Sequence, residues 1–152
     1  MKKTLLIPSM MDDHMPFLRH ALASRDYCPV VLDQREGVVE TALRYSHNDM
    51  CYPFHLALGQ YLVALDSGDY DRSNTALLTF SAGDACRGSN FTWLVRKALD
   101  AAGYGGVEVL TFNVKGVEKE ACLPLTLPMA WKALFGLFYG DMLLALTLQT
   151  RP

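Results

Sequence analysis

Four short apolar runs, separated by stretches with helical periodicity, constrain the fold of this chain more than any other feature. The runs cover residues 3–10, 28–33, 75–80 and 107–112, and they are short and apolar, as strands buried on both faces should be. Helical patterns between such strands predict a parallel sheet with right-handed crossovers. We therefore predict a three-layer α/β fold of the Rossmann-like or flavodoxin-like type, with strand order 2-1-3-4 and helices on both faces of the sheet.

Size and charge exclude several classes of protein. The 152 residues are 51% hydrophobic and 20% charged, which is typical of a globular chain with a substantial core. The net charge of −2 and the absence of a Lys/Arg stripe exclude nucleic acid as an electrostatic partner. The apolar stretch before Pro8 is too short for a secretory signal. We expect a cytoplasmic protein.

The last part of the chain is predicted to differ from the rest. We assign residues 1–124 to the α/β domain and residues 125–152 to an apolar helical segment, whose character indicates a piece of a longer polypeptide. Because Asp141 interrupts this segment and Lys132 precedes its most apolar part, we interpret it as one or two soluble helices without a membrane span. Its apolar side chains exceed what one helix face can hide, so we expect an exposed strip or a homodimer contact. These side chains are Leu134, Phe135, Leu137, Phe138, Met142, Leu143 and Leu146.

Cys51 lies one residue before a strongly helical stretch and is the first candidate metal ligand. Pro53 fits the first turn of a helix there. The positive end of the helix dipole favours the thiolate, the form of cysteine that binds metals. The alternative is that Cys51 is a small buried hydrophobic residue beside a helix start, with no metal-binding role. One buried face of this helix is predicted to consist of Phe54, Leu58, Tyr61, Leu62 and Leu65.

Cys86 is the second candidate metal ligand. It lies in a loop of small residues at 83–90 that opens another helix, beside Arg87. Loops that leave parallel strands gather at the carboxyl edge of the sheet, so we expect the sulfur atoms of Cys51 and Cys86 within about 10 Å of each other there. This requires residues 44–48 to return the chain across the sheet. Otherwise the two thiols lie far apart, each buried by its own packing.

Two cysteines are half of a soft-metal site. Zinc and iron–sulfur sites usually need four ligands. The remaining ligands must then come from another domain, another subunit or an exogenous molecule, and we expect an isolated domain to lose its iron.

Other polar residues are weaker candidates. Asp12, Asp13 and His14 could form a hard-metal site or an acid–base group, but we expect an exposed polar loop. His47 could orient a ligand shell or only make a turn. A nucleophilic dyad of Cys51 or Cys86 with His14 or His47 is a further alternative, although nothing in the nearby sequence indicates an oxyanion hole. His20 and His55 lie on predicted helices and need no function.

The remaining two cysteines are interpreted as structural. Cys28 opens a strand at the opposite edge of the sheet, and Cys122 lies in a late loop. No two of the four cysteines have C-x-x-C spacing, and disulfides are not expected in a cytosolic protein. The common phosphate-binding and hydrolase fingerprints are also missing from the sequence.

With these residues in view, the chain resembles the 2-hydroxyacyl-CoA dehydratase superfamily, and in particular the dehydratase-like region of the large CoA-substrate-specific enzyme activase-related proteins. The resemblance extends over most of the chain. It is carried by Asn48-Asp49-x-Cys51-Tyr52-Pro53, Gly59-Gln60, Cys86-Arg87-x-Ser89-Asn90-Phe91, Leu6-Ile7-Pro8 and Tyr139-Gly140-Asp141.

The resemblance implies an oxygen-sensitive iron–sulfur protein of anaerobes, with Cys51 and Cys86 as ligands of a 4Fe–4S-type cluster. In that family an activator protein hydrolyses ATP and injects one low-potential electron, and the dehydratase then removes water by a radical route. The chain lacks the actin-like ATP-binding segments of the activator and the second lobe that supplies further ligands. The resemblance therefore implies an electron-handling domain of a lyase or reductase system that is not catalytic alone. Its partners are the rest of a larger polypeptide or an ATP-dependent activator.

Two other functions stay open at this point. One is a structural or interaction domain that keeps the fold without a cluster. The other is a Rossmann-like domain that binds a nucleotide or a CoA moiety.

Overall fold

A computed structural model describes residues 2–81, 90–113 and 122–151. A short 3₁₀ helix at Arg72–Asn74 precedes the third strand. The strands and helices, in chain order, are β1 (Lys3–Pro8), α1 (Met15–Leu22), β2 (Tyr27–Leu32), α2 (Val38–Tyr45), α3 (Tyr52–Asp66), β3 (Thr75–Ser81), α4 (Phe91–Ala101), β4 (Glu108–Asn113) and α5 (Leu127–Thr150).

The four strands form one parallel sheet with the order β2-β1-β3-β4. Thr4 of β1 pairs with Cys28 of β2 on one side and with Thr75 of β3 on the other. On the far side of β3, Ala76 pairs with Glu108 of β4. The predicted parallel α/β fold and its strand order are confirmed.

Helices cover both faces of the sheet because successive strand residues point to opposite sides. On one face, Leu6, Leu77 and Val109 pack with α3 and α4. On the other face, Leu5, Ile7 and Leu78 pack with residues of α1. The three layers therefore follow from the consecutive apolar residues at the centres of β1 and β3, which point to both faces of the sheet.

Helix α3 is the most buried helix of the described chain, and its five predicted core residues are all buried. Burial extends beyond the predicted face, since α2 packs against α3 at Gly59. A Cβ atom on Gly59 would lie 1.8 Å from the backbone oxygen of Val38. Gly59 thus permits a helix-on-helix contact that no larger residue allows.

The buried hydroxyl of Tyr61 donates a hydrogen bond to the carbonyl oxygen of Leu78, which ties α3 to β3. Burial raises the pKa of this phenol.

Helix α5 is a single unbroken helix of 24 residues that packs on α1. The side chain of Thr126 caps its start by accepting a hydrogen bond from the backbone N–H of Met129. Gly136 and Gly140 are its buried positions, and a Cβ on Gly136 would lie 3.3 Å from the Cβ of Phe17 in α1. Glycines at this spacing let the two helices approach closely.

The apolar strip predicted on this segment is exposed: all seven predicted side chains are accessible to solvent. Within the described residues, α5 is also the one helix long and apolar enough to cross a bilayer, and 17% of its most apolar window is buried. The described ranges therefore do not form a multi-span membrane protein.

Candidate functional site

Cys51 is the residue immediately before α3, as predicted. Its backbone is extended, with φ −66° and ψ 150°, and its carbonyl oxygen accepts the first hydrogen bonds of the helix from the N–H groups of Phe54 and His55. Its side chain is half-buried, packs beside Met50 against the core under α3 and α4, and makes no capping hydrogen bond. The thiol is therefore partly accessible at the positive end of a long helix.

The start of α3 lies on the carboxyl side of the sheet. Ser9 directly follows β1, and its backbone N–H donates to Oε1 of Gln60 at 2.8 Å while Nε2 of Gln60 donates to the Ser9 carbonyl at 3.3 Å. Because α3 runs from this edge toward the start of β3, its first two turns, with Cys51 before them, extend beyond the edge. Helix α2 continues to Tyr45, so residues 44 and 45 are helical, and residues 46–51 connect the end of α2 to the start of α3 at this edge.

The first turns of α3 and α4 are in contact. The rings of Phe54 and Phe91 meet edge to face with their centroids 5.0 Å apart. Phe91 is the first residue of α4, and Cys86 precedes it by five positions in the sequence. Two helix starts therefore lie side by side at the carboxyl edge, one of them preceded by Cys51.

Cys86 and its loop lie outside the described residues. The distance between the two sulfur atoms, the central sequence-based expectation for this site, stays a prediction. Within the described ranges, no group of three or more His, Cys, Asp or Glu side chains could hold a metal ion.

A buried chain of three threonine hydroxyls fixes the start of α4. Thr92 Oγ1 lies 2.8 Å from Thr79 Oγ1 and 2.9 Å from Thr111 Oγ1, and Thr79 donates to the carbonyl oxygen of Leu110 at 3.1 Å. Since each hydroxyl has one proton, Thr92 donates to Thr79, and Thr111 donates to Thr92. This network joins the ends of β3 and β4 to the first turn of α4. The sequence pattern did not predict this hydroxyl network, because the residues next to each threonine give no indication that its side chain is paired with the other two.

Replacing Thr92 with valine should lower the free energy of unfolding by about 1–3 kcal/mol, because the variant keeps the shape but removes the hydrogen bonds of Thr92 to two buried hydroxyls. Urea unfolding of the Thr92→Val chain measures this loss. The control is Thr150→Val, where the hydroxyl bonds to Leu146 at an exposed position, and its effect should be close to zero. Equal effects of the two substitutions would show that the network contributes nothing.

The expectation that His14 belongs to an exposed polar loop is wrong. His14 is buried, and its Nε2 lies 2.9 Å from Oδ1 of Asp141 in α5. The reason is the docking of α5 on α1, which covers the ring with the helix backbone at Gly140. Asp141 is the one acidic residue of this apolar helix, so it was the one carboxylate of α5 that could pair with a histidine, although its own side chain is 70% exposed.

Asp12 has its own partners. The guanidinium of Arg35 donates to Asp12 Oδ2 at 2.5 Å and the hydroxyl of Ser9 donates to Oδ1 at 2.8 Å, and these bonds lower the pKa of the Asp12 carboxyl. Asp12 and His14 are therefore engaged in separate pairs. The hard-metal trio with Asp13 is not formed by the described residues.

The other cysteines and histidines are dispersed. Cys28 is exposed near the start of β2, at the edge opposite Cys51, and Cys122 is exposed beside β4. His47 is an exposed turn residue that pairs with Asp49. His55 is buried, with its Nε2 3.1 Å from the carbonyl oxygen of His47. The hydrogen bond of His55 orders the turn before Cys51.

A small cavity adjoins this turn. It has a volume of about 130 Å³ and lies between the end of α2, the turn before α3 and the side of α4, and its lining includes His47, Met50, Phe54 and Leu94. Chemically, the arrangement offers an accessible thiol, a nearby second helix start and a partly apolar recess.

Comparisons with known proteins add nothing to this geometry. The chain matches no family model, no curated protein and no solved structure.

Proposed function

We propose that this chain is an iron–sulfur-cluster-binding, electron-handling domain, with Cys51 and Cys86 as cluster ligands. The observation that carries the proposal is the contact between the first turns of α3 and α4, with Cys51 directly before one helix. The resemblance to the 2-hydroxyacyl-CoA dehydratase superfamily supports the same two residues. A bound cluster supplies one-electron chemistry at low potential.

The protein residues have three tasks in this proposal. The positive end of the α3 dipole is the proposed environment of the Cys51 sulfur, and the start of α4 has the same proposed role for Cys86. The hydroxyl chain through Thr92 holds the start of α4, and Gln60 holds the strand-exit loop at Ser9. The half-exposed position of Cys51 leaves room for ligands from a second polypeptide.

A donor set of two thiolates fits the proposal only in part. Four ligands are usual for a cubane cluster, and the described residues hold no additional metal-binding group. We therefore infer that other domains of a larger polypeptide, or a second protein, complete the site. An ATP-dependent activator is the proposed electron donor, the proposed location is the cytoplasm, and the domain is not catalytic alone.

Anaerobic reconstitution with iron, sulfide and a small thiol tests the proposal, since the added thiol can fill the missing positions. We expect a broad charge-transfer band in the visible region for the natural chain. The band and the bound iron should disappear in the Cys51→Ser/Cys86→Ser double variant, because serine does not replace a thiolate ligand.

The matched control is Cys28→Ser, which removes an exposed thiol from the opposite edge of the sheet and should leave the band unchanged. Iron binding that survives in the double variant, or that fails in the natural chain, contradicts the proposal. Failure in the natural chain favours the cluster-free interaction domain.

A further inference from the structure

Helix α5 leaves a large apolar surface without a partner. Eleven of its large hydrophobic side chains are more than a third exposed. At roughly 100 Å² each they present on the order of 1,000 Å², more than the ~800 Å² that each partner of a standard interface buries. A helix that is apolar on nearly all sides is normally buried. Some of these side chains, such as Leu148, lie off the side that faces away from α1, so the area open to one partner is comparable to the ~800 Å² of a standard interface.

The free side of α5 has the spacing of a helix-pairing seam. Trp131, Phe135, Phe138 and Met142 follow each other in steps of four, three and four residues, and each is between 55% and 62% exposed. Alternating steps of four and three place side chains along one line that faces a second helix. The occupant that fits this seam is another helix.

We propose that the seam pairs with the same seam of a second copy of this chain. A two-fold axis buries the same residues from both copies, so an uncharged aromatic seam is complementary to itself. None of the four seam residues is charged. Asp141 is paired with His14, and Lys132, the residue after Trp131, lies at the border of the seam.

A bilayer fits this helix less well than a second copy. The middle of α5 is docked on α1 through Gly136 and Gly140. Insertion across a membrane would bring α1, with its exposed Arg19 and His20, into the hydrocarbon region at high cost. The proposal is also independent of the cluster, since the seam and Cys51 are on different helices.

Sedimentation equilibrium of the full chain between micromolar and 100 micromolar concentrations tests the proposal. We expect the natural chain to have twice its 16.9 kDa mass. The Phe135→Lys/Phe138→Lys double variant should raise the dimer dissociation constant at least about 100-fold, because buried aromatic residues dominate such interfaces. Circular dichroism of the variant confirms that it is folded.

The control is Leu148→Lys, which places one lysine at a highly exposed position of α5 outside the seam. It should remain dimeric. The proposal is overturned by a monomeric natural chain, by a dimer that the double variant does not weaken, or by flotation of the chain with phosphatidylcholine vesicles in place of dimer formation.

Discussion

The Gly59→Ala substitution should lower the free energy of unfolding by at least about 3 kcal/mol, the largest effect we expect from a single methyl group in this protein. An added Cβ at this position would lie 1.8 Å from the oxygen and 2.5 Å from the carbon of the Val38 carbonyl. Both are backbone atoms at the start of α2, so no side-chain rotation can relieve the overlap. Helix α2 must move away from α3.

The sign of this effect is informative because alanine is the better helix former. In an unconstrained helix, the same change stabilises by roughly 0.5–1 kcal/mol. Urea unfolding therefore distinguishes a packing role for Gly59 from simple helix propensity. The control is Gly106→Ala, at a turn position with no atom within 4 Å of the added Cβ and no left-handed backbone, and its effect should stay within about 0.5 kcal/mol. A neutral or stabilising Gly59→Ala change would contradict the contact between the two helices.

The Gly140→Ala substitution should undock α5 from α1 and lower stability by about 1–3 kcal/mol. The added Cβ would lie 2.3 Å from Cδ2 and 2.7 Å from Cγ of His14. The imidazole can move only by leaving its buried position and its hydrogen bond to Asp141. Hydrogen exchange should become faster at the amides of α1 and α5, while those of α3 keep their protection.

The Gly136→Ala variant tests whether the loss of stability depends on how close the added Cβ comes to α1. Its added Cβ would lie 3.3 Å from the Cβ of Phe17, which requires a shift of only a few tenths of an ångström. We expect a clearly smaller effect. If both variants are equally stable, or if Gly140→Ala is more stable than the natural chain, the close docking of α5 at His14 is wrong.

The features that the sequence predicted correctly depend on short-range periodicity. Apolar positions in α3 recur at helical spacing, so its buried face could be read directly, and the proline at position 53 located the helix start beside Cys51. The strand order followed from the short apolar strands and from the handedness of crossovers between them. The helix signal is contained in a window of about 15 residues. The strand order follows from general rules of chain connection.

The features that sequence reasoning missed are pairings between distant residues. His14 and Asp141 are far apart in sequence, and either side chain alone is compatible with an exposed loop or helix surface. The same holds for the contact between Gly59 and Val38 and for the hydroxyl chain through Thr92. Each depends on how two elements approach each other, and periodicity within one element carries no information about its partner.

The position of β1 in the centre of the sheet has a consequence for the order in which the chain can fold. Thr4 pairs with Cys28 across a short connection that contains only α1, so the β1–β2 pair is a local unit. The same Thr4 must also pair with Thr75, which closes a much longer loop that includes α2 and α3. Closing long loops slows folding, since chain entropy is lost before the contacts form. During synthesis, the open edge of β1 therefore stays unpaired until the chain has been extended beyond β3, and in this interval it is the edge most exposed to pairing with other chains.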